Sequence, residues 1–380
     1  MRDVPELTEI NQKLNFHAIR LDALESESPV IPPVEPPIEP PVEPPITTRR
    51  LIGGNDGWWH KDWDPSNPFD ESNRLIPSHV AYRRPFSAGI RGMNTLNVNN
   101  SDDVNLSIWS HDKIIELCRL CNALGCPLYY TSCFNHSQEA NGEALSLIHQ
   151  ELDSVLPVYL EPANEIWNSG FFPYKWIKST FGVELGHDVF FKEWTDRYER
   201  LCEPETTARL GTRIFYRVLA GQTANDWVTR KMHERVVTRP DCIAQTTYFR
   251  HGNWRSGMTD SEFVDEVKRT YPGERDDILK HLRQTISWGL RPISYESNHH
   301  WHILGNNEAM RQFNRVQEFP EGIALVKRSL DDWFSNGGKE VFAYVMLALN
   351  DQNNSFGISG DTLDLTERYK FWANYVPTLS

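Results

Sequence analysis

Two glutamates lie where apolar, strand-like runs open into polar and aromatic loops. Glu165 follows the run that begins at Val158, and Glu296 follows the run that begins at Pro292. If parallel strands of one barrel carry these runs, their carboxyl ends meet at the same mouth. Two carboxylates across such a mouth can divide into a proton donor and a nucleophile, which is what glycoside hydrolysis requires. The spacing therefore predicts a carboxylate pair that acts on a glycosidic bond.

The elements that must position this pair follow from the apolar pattern of the chain. Helical patterns lie between most of the strand-like runs, and this alternation predicts parallel βα units. A run of eight strands favours a closed α/β barrel, a (β/α)8 or TIM barrel, over an open sheet. The predicted strands are Leu51–Gly54, Ala88–Leu96, Pro127–Phe134, Val158–Pro162, Ile214–Leu219, Ile243–Phe249, Pro292–Tyr295 and Val341–Leu349. The predicted helices include His111–Leu124, Gly142–Leu156, Ser261–Trp288 and Ala309–Asn336.

Two short segments resemble those of a known family. Residues 161–171, Glu-Pro-Ala-Asn-Glu-Ile-Trp-Asn-Ser-Gly-Phe, resemble the acid/base segment of the retaining (β/α)8 glycoside hydrolases of clan A, the cellulase- and mannanase-like superfamily. Tyr295-Glu296 followed by His299 resembles the nucleophile segment of that clan. The resemblance covers most of residues 50 to 360, and it implies a glycosidase that needs no cofactor and no metal.

The resemblance also implies individual roles. Glu165 would be the acid/base, Glu296 the nucleophile, and Asn164 a contact to the sugar 2-hydroxyl. Arg91 resembles the arginine that keeps the nucleophile ionised, and Tyr248 matches a tyrosine that hydrogen-bonds it. Other strand ends add candidate substrate contacts, namely Asn94, His136, Gln222 and Asn225. The eighth strand departs from the clan, since Asn350 and Asp351 follow it where a sugar-stacking tryptophan is common.

Aromatic and imidazole side chains gather at the same strand ends. Indole rings stack on the apolar faces of pyranose rings, so they are candidate substrate contacts, and packing of loops over the barrel is the alternative role. The candidates are Trp58, Trp59, Trp167, His299 and Trp301. A metal-dependent hydrolase that uses His299, His300 and His302 is a third hypothesis. The absence of a His-x-His motif in the first strands argues against it.

The first 48 residues differ in composition from the rest. Apolar residues at alternating steps of three and four predict a short coiled coil over residues 1–28. The seam consists of Leu7, Ile10, Leu14, His17, Leu21 and Leu24. Residues 29–48 carry a repeat of Pro-Pro, an apolar residue and Glu, which predicts an extended polyproline spacer or a docking site for a proline-binding module. Residues 49–380 are then the catalytic domain.

This plan favours homo-oligomerisation or attachment to a larger assembly, as in viral tail and surface proteins. The runner-up function is a non-catalytic carbohydrate-binding spike or a structural virion protein. The net charge of −13 argues against nucleic-acid binding. The sequence contains no run of 18 apolar residues, so no insertion into a membrane is expected. The chain begins without a secretory signal pattern, which leaves the location open, with a virion or a non-classical extracellular route as candidates. The six cysteines, Cys118, Cys121, Cys126, Cys133, Cys202 and Cys242, are expected to be buried free thiols.

Overall fold

A computed structural model of the chain describes residues 52–56, 89–92, 111–303, 305–344 and 366–375. In the first two ranges the description is of the backbone alone. The expected coiled coil, the proline-rich spacer, Asn94, Trp58, Trp59 and the end of the eighth strand lie outside the described residues, and so does the side chain of Arg91.

Parallel strands close into a barrel within the part of the chain that the structure describes. The strands are β1 (Ile52–Asp56), β2 (Gly89–Gly92), β3 (Leu128–Ser132), β4 (Val158–Pro162), β5 (Phe215–Ala220), β6 (Cys242–Thr246), β7 (Phe249–Arg250), β8 (Arg291–Ser297), β9 (His299–His300) and β10 (Val341–Ala343). Around the barrel the order is β1-β2-β3-β4-β5-β6-β8-β10, and β10 pairs with β1 to close it. The strands β7 and β9 form a separate parallel pair. The predicted α/β barrel is therefore confirmed, with β8 as its seventh strand.

Helices follow most of the barrel strands. They are α1 (His111–Leu124), α2 (Gln138–Glu151), α3 (Phe172–Phe181), α4 (Asp188–Cys202), α5 (Pro204–Thr207), α6 (Asp226–His233), α7 (Asp260–Ser287), α8 (Asn307–Val316), α9 (Pro320–Ser335) and α10 (Glu367–Asn374). The single helix expected over Ala309–Asn336 is wrong. Phe319 is extended (φ −77°, ψ 152°) because it precedes Pro320, and the proline begins a new helix.

Aromatic rings fill the lower part of the barrel. Tyr159 stacks between Tyr129 and Tyr216, with ring centroids 5.5 and 5.0 Å apart, and Phe342 meets Tyr129 edge-on at 5.0 Å. Below them the Tyr159 hydroxyl donates to Glu340 (3.3 Å), at the amino end of β10. The barrel is thus a packed core rather than a pore, and open chemistry is confined to its carboxyl-terminal mouth.

All six cysteines lie in the described part of the chain, and each is a buried free thiol, as predicted. Burial raises the pKa of Cys118 to about 12, so this thiol stays protonated. Within the described ranges no group of three or more His, Cys, Asp or Glu side chains is arranged to hold a metal ion. None of the helices described is both long enough and apolar enough to cross a membrane.

A buried histidine lies between the barrel and its helices. His281 on α7 is fully buried, and neither ring nitrogen has a hydrogen-bond partner among the described residues. The buried Thr229 hydroxyl also has no hydrogen-bond partner among the described residues. Both side chains pack closely against Gly221, where an added Cβ would lie 2.9 Å from His281 Cε1. An imidazole in such surroundings can be accommodated only in its neutral form.

We expect this histidine to make the fold sensitive to acid. Burial lowers the pKa of His281 from 6.5 to about 4. Between about pH 6.5 and pH 4, His281 is therefore protonated in the unfolded chain and neutral in the folded chain. The free energy of unfolding falls as the pH drops through this range, by up to about 3 kcal/mol. Urea denaturation at pH 7.5 and pH 4.5 should show that His281→Leu reduces this loss. The exposed His111→Gln is the control, and equal pH dependence in wild type and His281→Leu would contradict the assignment.

Candidate active site

The turn that follows β4 holds Glu165 in an unusual backbone conformation. Glu165 has φ 41° and Ala163 has φ 55°, and no other non-glycine residue in the described part of the chain has a positive φ. Each such residue costs about 1–3 kcal/mol, and this kind of strain concentrates at functional sites. Asn164, between them, is buried. The strained turn therefore marks this end of β4 as a site, and Glu165 as the residue it presents.

Both oxygens of the Glu165 carboxylate accept hydrogen bonds. The Asn168 side-chain amide donates to Oε2 (2.9 Å), and the Tyr295 hydroxyl donates to Oε1 (2.6 Å). Asn168 is itself fixed, because its Oδ1 accepts the backbone N–H of Gly170 (3.0 Å). These contacts define where the Glu165 carboxylate lies, although the side chain remains partly exposed.

Glu296 is the penultimate residue of strand β8, whereas the sequence had predicted that it follows the strand. Its side chain is 5% exposed, and Oε2 accepts a hydrogen bond from the Tyr248 hydroxyl at 3.0 Å. Its backbone carbonyl accepts the Thr247 N–H (3.0 Å) and the Ser294 hydroxyl (3.1 Å). The second carboxylate is therefore buried and held from both its side chain and its backbone.

An irregularity in β8 brings two consecutive side chains to this mouth. Opposite β6, Gln245 pairs with Ser294 but Thr246 pairs with Glu296, so the register skips Tyr295. In a regular strand, neighbouring side chains point to opposite faces, whereas a bulge re-aims one of them. Here Tyr295 contacts Glu165 while Glu296 contacts Tyr248. The bulge thus connects the two carboxylates through adjacent residues.

Tyr248 lies within electrostatic reach of both carboxylates. Burial is the main cause that raises its pKa well above 10, the charge of Glu296 is the next, and Glu165 contributes in the same direction. The phenol therefore stays protonated and acts as a donor to Glu296. Tyr248 contacts Glu296, and Tyr295, the residue before Glu296, contacts Glu165, so the two glutamates lie at one mouth of the barrel. The His300 ring is tilted against the Tyr248 ring, with the ring centroids 5.0 Å apart.

Three other predicted polar contacts lie in loops after neighbouring strands. His136 follows β3, is buried, and has Nδ1 3.3 Å from Asn141 Oδ1. Burial lowers the pKa of His136 to about 4, so the ring is neutral near pH 7. Gln222 and Asn225 follow β5, and both are partly exposed. All three occupy the carboxyl-terminal end of the barrel, and their contact with substrate stays a prediction.

The structure corrects the prediction for His299 and Trp301. His299 is fully buried, with Nε2 2.9 Å from the Gly322 carbonyl at the start of α9. Trp301 is also fully buried, with its ring 4.8 Å from Phe263 and 5.9 Å from Phe249. A ring without an exposed face cannot stack on a sugar. The reason is that the chain leaves the barrel through β9, which pairs with β7 and packs these side chains against the outer helices.

Trp167 takes the packing role that the sequence left open for the indoles. It is 6% exposed, and its ring meets Trp194 of α4 edge-on at 5.7 Å. Trp167 therefore anchors the loop that carries Glu165 against α4. Two residues of the site were missed from the sequence, Asn168 and Tyr295. Asn168 could have been found as the amide three residues after Glu165. Tyr295 could not, because regular alternation along a strand would put its side chain on the face opposite to Glu296.

Comparisons with known proteins bear on the fold. No protein-family model matches the chain, and no curated protein matches it. A GH51 arabinofuranosidase from Xanthomonas axonopodis pv. citri is similar in structure, with a TM-score of 0.53 and 14% identity over 86% of this chain and 72% of that chain. An intracellular xylanase from Thermoanaerobacterium saccharolyticum has a TM-score of 0.47 and 10% identity over 85% and 95% of the two chains. At such identities the likeness to the arabinofuranosidase shows the fold alone.

Proposed function

We propose that this chain is a retaining glycoside hydrolase that cleaves a β-linked polysaccharide or oligosaccharide by double displacement. The observation that supports it is the carboxylate pair at the barrel mouth. Glu165 and Glu296 are each held by a tyrosine hydroxyl, from Tyr295 and Tyr248 respectively, and Tyr295 directly precedes Glu296 in β8. Two carboxylates with different surroundings are what an acid and a nucleophile need, and here one is partly exposed while the other is 5% exposed.

In the first step, Glu296 acts as the nucleophile. The Tyr248 hydroxyl donates to its Oε2 and orients the carboxylate, and a carboxylate oxygen of Glu296 attacks the anomeric carbon. The bond from that carbon to the leaving oxygen breaks as the Glu296 ester forms, and protonated Glu165 gives its proton to the leaving oxygen. Arg91 lies on β2 opposite Tyr129 in the register, at the strand that the resemblance assigns to stabilising the nucleophile.

In the second step, Glu165 acts as a base. As a carboxylate it takes a proton from water, the water oxygen attacks the anomeric carbon, and the Glu296 ester is released as a carboxylate. Two displacements at the same carbon restore its configuration. The same carboxylate must therefore face the leaving group and then the water, and the bonds from Asn168 and Tyr295 hold it for both.

The test is a panel of β-linked polysaccharides (xylan, mannan, cellulose and mixed-linkage β-glucan) with products identified by mass spectrometry. Wild-type protein should release oligosaccharides from at least one of them, and Glu296→Gln should release none. Binding without release by the wild-type protein would instead fit a carbohydrate-binding spike or a structural virion protein, and would contradict the proposal.

We also propose that residues 1–28 join copies of the chain and that residues 29–48 serve as a spacer. In the full chain, replacing two seam residues, Leu14→Lys and Leu21→Lys, should convert an oligomer to a monomer, because charges at the a/d positions oppose coiled-coil packing. Sedimentation measures the change, and turnover per site should stay the same. Gln12→Lys, outside the seam, is the control. A wild-type monomer would contradict the proposal.

A further inference from the structure

Tyr295 joins the two members of the proposed catalytic pair. It is the residue directly before Glu296 in β8, and its hydroxyl donates to Oε1 of Glu165 at 2.6 Å. The ring is 1% exposed and belongs to the same apolar cluster as Tyr159 and Phe342, inside the barrel. Packing thus fixes the body of the side chain, and its hydroxyl reaches across the mouth to the end of β4.

The other hydrogen bond to Glu165 does not have this property. Asn168 lies three residues after Glu165 in the same loop, so it moves with the carboxylate that it holds. Tyr295 comes from a different strand, three places further around the barrel. Glu165 is partly exposed and lies on a strained turn. The hydrogen bond from Tyr295, on the sheet, therefore fixes the position of the Glu165 carboxylate relative to the rest of the mouth.

We propose that Tyr295 is the positioning residue for the acid/base, an inference that rests on the proposed function. The bulge in β8 places Tyr295 and Glu296 at the mouth together, so one peptide unit carries the nucleophile and the tether of the acid/base. The separation between the two carboxylates is then set by a single backbone segment. A misplacement of about 1 Å in a reacting group can cost about 100-fold in rate.

The kinetic consequence is selective for the leaving group. Cleaving a phenyl glycoside needs a proton from Glu165, whereas a 2,4-dinitrophenyl glycoside leaves without one. Since kcat/KM reports the first irreversible step, Tyr295→Phe should lower it about 10- to 100-fold on the phenyl glycoside and less than about threefold on the dinitrophenyl glycoside. Tyr248→Phe, which acts through Glu296, should slow both substrates by similar factors.

Tyr129→Phe is the matched structural control. It removes a buried tyrosine hydroxyl of the same barrel, one that donates at 2.6 Å to Glu161, a fully buried carboxylate outside the proposed pair. The ratio of kcat/KM for the two aryl glycosides should be the same in this variant as in wild type. The aryl glycosides carry the sugar that the polysaccharide panel releases.

A second measurement does not depend on turnover. Crystal structures of wild type and Tyr295→Phe should differ at Glu165, whose carboxylate should leave its place or occupy more than one conformer. An unmoved Glu165 carboxylate, or a loss of kcat/KM that is equal for both aryl glycosides, would overturn the positioning role. A protein that cleaves nothing on the panel fails as a glycosidase, and the crystal structures still decide whether Tyr295 positions Glu165.

Discussion

Glu296→Gln should reduce turnover by at least about 10⁴-fold on every substrate of the enzyme, whatever the leaving group. An amide is a very poor nucleophile, so no glycosyl ester forms. The substitution is nearly isosteric, and the glutamine side-chain oxygen can still accept the Tyr248 hydroxyl, so the fold should persist. Initial rates on the polysaccharide that wild type cleaves measure the loss.

Thermal unfolding of the same sample separates lost chemistry from lost structure, and the midpoint should stay close to that of wild type. Glu308→Gln, an exposed change on α8, is the control for purification and handling. Activity within about tenfold of wild type in Glu296→Gln would mean that another group attacks the sugar, and the nucleophile would have to be reassigned.

Glu165→Gln should give a different pattern, which is the second large effect. Hydrolysis of polysaccharide should fall about 10²- to 10⁴-fold, because the leaving sugar no longer receives a proton. On a 2,4-dinitrophenyl glycoside, kcat/KM should stay within about tenfold of wild type, since that leaving group needs none. Stopped assays on the two substrates, run with the same enzyme sample, measure the contrast.

Azide provides an independent check on the same variant. A small anion can attack the glycosyl ester without help from a base, so added azide should restore turnover of the dinitrophenyl glycoside and yield a glycosyl azide. Wild type should form little of that product. Equal losses on both substrates, with no azide product, would remove Glu165 from the acid/base role.

The apolar pattern was sufficient to predict the barrel. Each of the eight predicted strand runs overlaps an observed strand. Buried parallel strands are continuous apolar runs, so they can be identified from the local sequence alone. Helices α3 and α4 were not among the helices named from the sequence, and their aromatic residues, such as Trp176 and Trp194, are not strong helix formers. The break at Pro320 was passed over although the proline is visible in the sequence.

The site was predictable in its carboxylates and not in its connections. Glu165, Glu296 and Tyr248 were named as candidates because strand ends and the resemblance both point to them, and their catalytic roles stay a prediction. The bond from Tyr295 to Glu165 depends on a bulge, and no glycine marks it. His299 and Trp301 were misplaced for a related reason, because pairing between β7 and β9 is a tertiary event that leads the chain away from the mouth.

The stereochemistry of the first-formed product tests the central claim most directly. A retaining pair has its carboxyl groups about 5–5.5 Å apart, too close for a water between the sugar and Glu296, so the carboxylate must attack. Proton NMR during the first minutes of hydrolysis, before mutarotation, reads the configuration at the anomeric carbon. From a β-linked substrate we predict the β anomer first, and an initial α anomer would contradict double displacement by Glu165 and Glu296.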